Sequence, residues 1–202
     1  MHISEGVIAA PVLVSGAVGA FAGCAVGLKK MDIENTPKVA VMSSAFFVAS
    51  LIHLPVGPTS VHLVLSGLVG ILLGWMAFPA ILVALLLQAI LFQFGGITTL
   101  GVNTMVMGVP ALVCYLLYAR FVRGRNKAIA AVAGFLAGAT GIFLGGVIVA
   151  LFLISTGEQF IVVAKLFVIA HFPVMVIEGI LTAFIVTFIR RIKPDVLGGI
   201  VK

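Results

Sequence analysis

Charge is what this sequence has least of. Only 9% of its 202 residues are Asp, Glu, Lys or Arg, whereas 62% are hydrophobic and the mean hydropathy is +1.33. A water-soluble domain carries roughly 25% charged residues. A chain so poor in charge could not cover its surface in water. The composition therefore excludes a soluble protein and predicts an integral membrane protein.

Several familiar motifs are also absent. The sequence contains no GxxxxGK[ST], HExxH or GxSxG, so we expect the chain neither to bind ATP by a phosphate-binding loop nor to act as a zinc or serine hydrolase. It has two cysteines, Cys24 and Cys114, both within apolar stretches. We predict that they are packing residues rather than a disulfide. The first six residues hold no Lys or Arg, unlike a signal peptide, so we expect the first apolar stretch to be retained.

The longest stretch without charge runs from Val39 to Ala119. At about 20 residues per crossing it is long enough for about four transmembrane helices. Three sets of turn-forming residues divide it: Pro55 to Pro58, Pro79, and Gly95 to Gly101. With the apolar stretches on either side, these divisions predict one all-α transmembrane domain, residues 1–202, with seven helices. The predicted spans are 7–28, 39–54, 60–77, 80–94, 103–119, 128–155 and 166–189.

The basic residues predict the orientation. Alternating the seven spans places three basic segments, 29–38, 120–127 and 190–202, on one side, and leaves Lys165 as the one basic residue opposite. Cytoplasmic loops carry the excess of Lys and Arg. We therefore expect the N-terminus outside and the C-terminus in the cytoplasm of a prokaryotic inner membrane. Because these basic loops border spans, we interpret them as topology signals and not as a nucleic-acid interface.

The N-terminal segment, residues 1–6, has the chemistry of a metal clamp. The α-amino group of Met1, the backbone nitrogen of His2 and the His2 imidazole Nδ1 can close two fused chelate rings on one cation. With the amide deprotonated, the three nitrogens lie in a plane that a fourth nitrogen completes. Square-planar nitrogen coordination is typical of Ni(II) and Cu(II). The alternative is that His2 is a polar residue on a frayed terminus.

The other histidines support the metal interpretation. In the predicted topology, His53, His62 and His171 all fall in the outer half of the membrane, as His2 does. His62 follows a rigid Pro-Gly-Pro turn, a position that can direct its side chain into an outer cavity, and we favour it as the fourth ligand. His53 is a ligand, a supporting group or an interfacial residue, and His171 is a supporting group or a hydrogen-bonded residue between helices.

Other polar residues in the spans and in the break between them are candidates for a supporting role. Ligating histidines need a hydrogen-bond partner for the second ring nitrogen, although each candidate could equally join two helices. The candidates are Gln88, Gln93, Thr98, Thr99 and Asn103. Glu178 is a carboxylate deep in a span, where ionisable groups usually mark function. It could orient a ligand or anchor a helix, and with His171 it could form the relay of a proton-coupled carrier or channel that works alone. A structural subunit without a substrate is a third possibility.

Three separated motifs resemble one family. They are Met-His-Ile-x-Glu-Gly at residues 1–6, Pro-Thr-Ser-Val-His at 58–62, and Gln-Phe-Gly-Gly-Ile-Thr-Thr-Leu-Gly-Val-Asn-Thr at 93–104. Together they resemble the CbiM/NikM proteins, the substrate-binding membrane subunits of energy-coupling factor transporters for nickel and cobalt. The resemblance implies that the Met1 amino group, the His2 backbone and imidazole nitrogens and the His62 imidazole bind the cation, and that the N-terminus tucks into the bundle.

The resemblance also implies partners and a substrate. The expected partners are a transmembrane coupling subunit, two ATPase subunits that hydrolyse ATP in place of this chain, and often a small accessory membrane protein. Cobalt-type members tend to carry Ser-Ser-Ser-His-Pro where this sequence has Pro-Thr-Ser-Val-His-Leu. That difference and the planar chelate favour Ni(II) over Co(II) as the transported substrate, with no organic cofactor. We expect a partner helix to pack on the ladder of Gly19, Gly23 and Gly27.

Overall fold

The computed structural model shows a bundle of apolar helices with one short hairpin. The structure describes residues 2–56 and 59–198, and of residues 53–56 and 59–61 it describes the backbone but not the side chains. The helices in the described part are α1 (Ala10–Lys29), α2 (Thr36–Leu51), α3 (Ser66–Leu73), α4 (Ala77–Phe92), α5 (Leu100–Arg123), α6 (Lys127–Thr156), α7 (Ile161–Ala170) and α8 (Phe172–Ile192). Strands β1 (His53–Val56) and β2 (Thr59–His62) pair antiparallel.

Proline and asparagine set where several helices begin. α1, α2 and α8 each carry a proline in the first turn, where its missing N–H would have no partner within the helix. α6 begins after Asn126, whose side-chain oxygen accepts hydrogen bonds from the backbone N–H of Ala128 at 2.9 Å and of Ile129 at 3.2 Å. This is the preferred N-cap arrangement. The starts of α1, α2 and α6 lie within three residues of the predicted ones, whereas α8 begins six residues after the predicted start at residue 166.

The number of long helical segments differs from the predicted seven spans. Within residues 2–56 and 59–198, five apolar helical runs are long enough to cross a membrane, and α2 is a shorter apolar helix. The five runs are Ala10–Lys29, Ser66–Phe92, Leu100–Arg123, Lys127–Thr156 and Glu158–Ile192. The predicted span 60–77 is wrong at its start, because residues 59–62 form β2 and the helix begins at Ser66. The break predicted at Pro79 lies a few residues earlier, at Gly74–Met76, and Pro79 itself is in the first turn of α4.

The run from Ser66 to Phe92 turns back on itself at Gly74. A 3-10 turn, Gly74–Met76, separates α3 from α4, and Gly74 has φ +56° and ψ −125°, which a straight helix cannot accommodate. His62, before α3, and Gln88, near the end of α4, both contact His2. The turn between them lies against the other end of α1, where a Cβ at Gly27 would be 2.6 Å from the Trp75 carbonyl oxygen. α3 and α4 therefore run in opposite directions.

Glycines let α6 pack closely against its neighbours. A Cβ added at Gly138 would collide with the Glu178 carbonyl of α8, and one added at Gly141 would lie 2.6 Å from the Ser66 hydroxyl at the start of α3. Small residues in this pattern allow helix backbones to approach in a membrane. The consequence for the site is that Glu178, in the middle of α8, lies close to the first turn of α3.

The glycine ladder of α1 does not face a partner protein. A Cβ at Gly19 would lie 2.9 Å from Met105 of α5, and one at Gly23 would lie 2.5 Å from the Phe78 ring of α4. With Gly27 against Trp75, the whole ladder packs on the chain's own helices. The prediction that a partner helix binds there is wrong, because α4 and α5 already occupy that face.

Both cysteines are buried packing residues, as the sequence predicts. Cys24 and Cys114 are free thiols. Cys114 is fully buried, and its Sγ lies 3.2 Å from the Ala137 carbonyl oxygen across the contact between α5 and α6.

Candidate metal centre

The segment before α1 enters the bundle and is held at Ile3. The Ile3 N–H donates to the Asn103 side-chain oxygen at 2.9 Å, and the Asn103 amide donates to the Ile3 carbonyl at 3.1 Å. Ile3 is 4% exposed and Asn103 is 2% exposed. One side chain of α5 thus satisfies both backbone groups of Ile3 in an apolar interior, where unpaired polar groups are costly. The pair fixes the chain one residue after His2.

A second attachment holds Glu5 to the loop between α4 and α5. The Glu5 N–H donates to the Gly95 carbonyl at 3.0 Å. Its carboxylate accepts the Thr98 N–H at 2.9 Å and the Thr98 hydroxyl at 3.0 Å, and the Thr98 N–H holds the pKa of Glu5 below its ordinary value. Gly96 has no side chain and leaves room for Glu5, with which a Cβ there would collide.

The hydrogen bonds around His2 determine its tautomer. The Ser50 hydroxyl donates to the Phe47 carbonyl at 2.7 Å, so its oxygen accepts from the Gln88 amide NH2. The Gln88 carbonyl oxygen therefore faces His2, at 2.7 Å from the imidazole Nε2. A carbonyl oxygen can only accept. Nε2 must carry the proton, and Nδ1 carries a lone pair.

The same reasoning applies to His62. Its Nδ1 lies 2.9 Å from the Leu63 carbonyl oxygen, so Nδ1 carries the proton and Nε2 carries the lone pair. This Nε2 lies 2.9 Å from Nδ1 of His2, with the ring centroids 4.7 Å apart. The neighbours of the two rings thus place two lone pairs opposite each other. His62 is 4% exposed.

Two opposed imidazole lone pairs suit a cation between them. Nitrogen ligands lie about 2.0 Å from a transition-metal ion, so two adjacent corners of a square-planar site are about 2.8 Å apart by simple geometry. The observed 2.9 Å agrees with this separation. Burial lowers the pKa of His2 to about 3, so its imidazole is neutral near pH 7. It does not need to lose a proton before binding a metal.

Part of the predicted ligand set lies outside the described residues. Met1 does, and so does the side chain of His53. The backbone of His53 is described and pairs with that of His62 across the hairpin. Among the residues that the structure describes, no group of three or more His, Cys, Asp and Glu side chains converges on one point.

The structure shows which of the predicted supporting residues contact the histidines and which do not. Gln88, which sequence reasoning proposed only among several polar residues, is the partner of His2. Gln93 is not brought to the site, because it ends α4 in the left-handed conformation, φ +58°, with its side chain exposed. Thr98 and Thr99 support the segment indirectly, Thr98 through Glu5 and Thr99 through a 3.2 Å contact with the Asn103 amide. Nothing in the sequence reveals that Gln88 and not Gln93 faces inward.

His171 and Glu178 are buried, and in the described part of the chain their hydrogen bonds go to backbone groups. His171 Nδ1 lies 2.7 Å from the Phe167 carbonyl one turn earlier, so the bond lies within its own helical run and not between helices. The Glu178 carboxylate accepts the backbone N–H groups of Val64 and Leu65. This engagement favours the interpretation of Glu178 as an anchor over that of a proton relay.

Replacing Asn103 tests whether the docked segment supports metal binding. We expect Asn103→Leu to weaken metal affinity about tenfold or more, because it leaves the buried N–H and carbonyl of Ile3 without partners. Thr104→Val is the matched control, since Thr104 is equally buried but bonds only the Leu100 carbonyl of its own helix. Metal titration of both variants measures the effect, and equal affinities would contradict this role for Asn103.

A bundle of long apolar helices defines a multi-pass membrane protein. The family described as CbiM, "Cobalt uptake substrate-specific transmembrane region", matches residues 2–196. The chain belongs to this family.

Curated relatives and a solved structure are also similar to this chain. The chain is 41% identical to a protein of Haemophilus influenzae that carries the provisional name metal transport protein, over 98% of this chain and 97% of that one. It is 35% identical to the cobalt transport protein CbiM of Sorangium cellulosum, over 83% and 79% of the two chains. A crystal structure of a transition metal transporter shares the fold, with a TM-score of 0.72 and 22% identity over 95% of this chain and 91% of that one. The chain is thus a member of a metal transport family of the cell membrane.

Proposed function

We propose that this protein captures Ni(II) at the outer face of the membrane and delivers it to an ATP-driven importer. The four donors are the Met1 amino group, the deprotonated backbone nitrogen of His2, His2 Nδ1 and His62 Nε2. The observation that carries the proposal is the opposed pair of lone pairs, 2.9 Å apart. The hydrogen bonds that the two rings donate, from His2 to the Gln88 side-chain oxygen and from His62 to the Leu63 carbonyl, hold both rings in the tautomer that a metal needs.

The choice of Ni(II) rests on geometry. A planar set of nitrogens that includes a deprotonated amide suits Ni(II) and Cu(II) better than the other divalent ions of the first row. Co(II) is the alternative substrate, because the family includes proteins named for cobalt transport and for nickel transport. Cu(II) should compete in vitro, since it stands highest in the affinity order.

We also propose that the chain crosses the membrane seven times, with the N-terminus outside. The reversal at Gly74 supports two passes within Ser66–Phe92, an inward one through residues 63–73 and an outward one through α4. Together with one pass each for α1, α2, α5, α6 and the α7–α8 run, these two passes give seven crossings. The basic segments at 29–38, 120–127 and 190–202 then all face the cytoplasm. Cysteine labelling from the outside at Ser4, an exposed residue, tests it, and labelling only after the membrane is permeabilised would contradict it.

Transport in this proposal needs other subunits. The sequence has no phosphate-binding loop, so we assign ATP hydrolysis to two ATPase subunits that act through a transmembrane coupling subunit, with a small accessory membrane protein in addition. Reconstitution in liposomes tests the assignment. We expect the chain alone to bind Ni(II) without accumulating it, and uptake by the chain alone under a pH gradient would favour the stand-alone carrier.

A competitive titration tests the substrate. Protein with a native Met1 is titrated with Ni(II), Co(II) and Cu(II) in detergent, and bound metal is measured by elemental analysis. We expect one ion per chain, with Ni(II) bound more tightly than Co(II). Tighter binding of Co(II) would mean that cobalt, not nickel, is the transported substrate. The absence of any bound ion would contradict the metal site itself.

The pH dependence of Ni(II) affinity should correspond to the release of two protons on binding. Metal binding releases protons from its ligands, here one from the α-amino group, whose ordinary pKa is about 7.7–8.0, and one from the amide. His2 releases none above pH 5, because burial already lowers its pKa to about 3. No proton then competes with the metal for its Nδ1. We expect Ni(II) affinity to fall about 100-fold per pH unit on acidification from pH 7 to pH 5, since two protons then compete. A fall of about 1000-fold or more per unit would mean that an imidazole is protonated in the metal-free protein.

A further inference from the structure

Glu178 is the buried group that the proposed metal clamp leaves unexplained. It lies in the middle of α8 and has no exposed surface. Its carboxylate accepts the Val64 N–H, and it accepts the Leu65 N–H at 2.9 Å with one oxygen and at 3.1 Å with the other. These N–H groups are at the start of α3, where the helix dipole favours a negative charge. Leu65 has φ +54°, a left-handed conformation that is uncommon for a residue other than glycine.

A single peptide unit connects this carboxylate to His62. The peptide bond between Leu63 and Val64 is planar and trans, so its carbonyl and N–H point in opposite directions. The carbonyl lies 2.9 Å from His62 Nδ1 and accepts its proton. The N–H donates to Glu178. Any rotation of this peptide unit would therefore break the bond to Glu178 and the bond to the His62 ring together.

We infer that Glu178 is the positioning residue for the fourth ligand, since its carboxylate fixes the Leu63–Val64 peptide that orients the His62 imidazole. The inference rests on the proposed function, in which His62 Nε2 binds the cation. Glu178 does not itself contact the metal. Its oxygens face the backbone at the start of α3, while the lone pair of His62 faces His2 on the other side of the same peptide.

Two conservative variants of Glu178 distinguish the effect of its side-chain length from the effect of its negative charge. Glu178→Gln keeps the length of the side chain and the oxygen that accepts both N–H groups, but removes the negative charge and the second oxygen, which lies 3.1 Å from the Leu65 nitrogen. Glu178→Asp keeps the charge and shortens the side chain by one methylene, so it no longer reaches Val64. We expect Asp to weaken Ni(II) affinity about 10- to 100-fold, the usual effect of losing a group that orients a metal ligand. Gln should stay within about fivefold of the native affinity.

The exposed Glu158, in the turn between α6 and α7, supplies matched controls. Glu158→Asp and Glu158→Gln should leave affinity unchanged. Elution from a size-exclusion column in detergent checks that each variant is folded. If Glu178→Gln weakens Ni(II) binding more than Glu178→Asp does, the negative charge matters and not the length of the side chain. That result would overturn the inference.

A double-mutant cycle with His62→Ala completes the test. Once His62 is removed, Glu178→Asp should change Ni(II) affinity by no more than about twofold, because residues that act through one contact are not additive. The visible absorption band of bound Cu(II) in Glu178→Asp should shift to longer wavelength as it does in His62→Ala, since a water oxygen replaces a nitrogen in the plane. An equal loss with and without His62 would overturn the inference and leave the metal site standing. A His62→Ala variant with native affinity would instead overturn the ligand assignment.

Discussion

Blocking the α-amino group of Met1 should reduce Ni(II) affinity by at least about 100-fold. Structural four-ligand zinc sites bind their ion with about 10–16 kcal/mol. By the same scale, one lost ligand costs roughly 3 kcal/mol, which is about two orders of magnitude in affinity. The loss should be larger than this, because the amino group anchors the chelate ring that also brings the His2 backbone nitrogen to the metal. Acetylation of Met1 makes the change without altering any side chain.

A three-residue extension ahead of Met1 should have the same effect. An extension of one residue is unsuitable, because a histidine at the third position would create a new chelate from the amino group, two amides and the imidazole. The same three residues added after Lys202 are the control, and should leave Ni(II) affinity unchanged. Isothermal titration of the three proteins measures the difference. Native affinity in the acetylated protein would contradict a clamp built on the N-terminus.

The second large effect is expected from His62. Replacing it by Ala removes the nitrogen that faces His2 Nδ1 and should weaken Ni(II) binding by about two orders of magnitude, the value of one ligand. The imidazole is buried, so the variant also leaves a cavity, into which a water can move as a weaker fourth ligand. The bound ion should then remain planar on the three N-terminal nitrogens, with lower affinity.

His53→Ala is the matched control for this variant. His53 lies opposite His62 in the two-stranded hairpin, so both substitutions remove an imidazole from the same small element. We expect the affinity of His53→Ala to stay within about threefold of native, the range typical of a substitution away from a site. Equal losses in the two variants would mean that the hairpin as a whole, rather than the His62 nitrogen, supports binding.

The sequence predicts the members of the site better than their contacts. His2 and His62 are singled out by position and motif, and the structure brings their imidazoles together. Asn103 is only one of five polar candidates in the sequence, and the structure shows that it binds Ile3. Gln88 and Gln93 could not be separated by the same reasoning, because both are amides near the end of one apolar helix. Their difference depends on where α4 ends. The helix stops at Phe92, so Gln88 still points into the bundle while Gln93 turns outward.

The errors in the spans have a common physical cause. In a water-soluble helix, polar and apolar faces reveal which side is buried. In a membrane, lipid and protein interior are both apolar, so the sequence of α1 does not show whether Gly19, Gly23 and Gly27 face another subunit or the chain's own helices. The same ambiguity hides the start of α3, because the apolar residues Leu63, Val64 and Leu65 read like the first turn of the helix that begins at Ser66.

The backbone role of Glu178 could not be predicted from the sequence either. A carboxylate within a span indicates function, and a proton relay with His171 is a reasonable hypothesis from composition alone. What the sequence does not show is that α3 begins beside α8, with two backbone N–H groups directed at that carboxylate. Only the packing of Gly138 against α8 and of Gly141 against Ser66 brings them together.

The most direct test of the account is X-ray absorption spectroscopy of the Ni(II)-loaded protein with a native Met1. We predict a square-planar ion with four nitrogens at about 2 Å, of which two are imidazoles, and loss of one imidazole contribution in His62→Ala. A six-coordinate ion bound mainly by oxygen, or a spectrum unchanged by His62→Ala, would contradict the claim that the N-terminal nitrogens and His62 hold the metal.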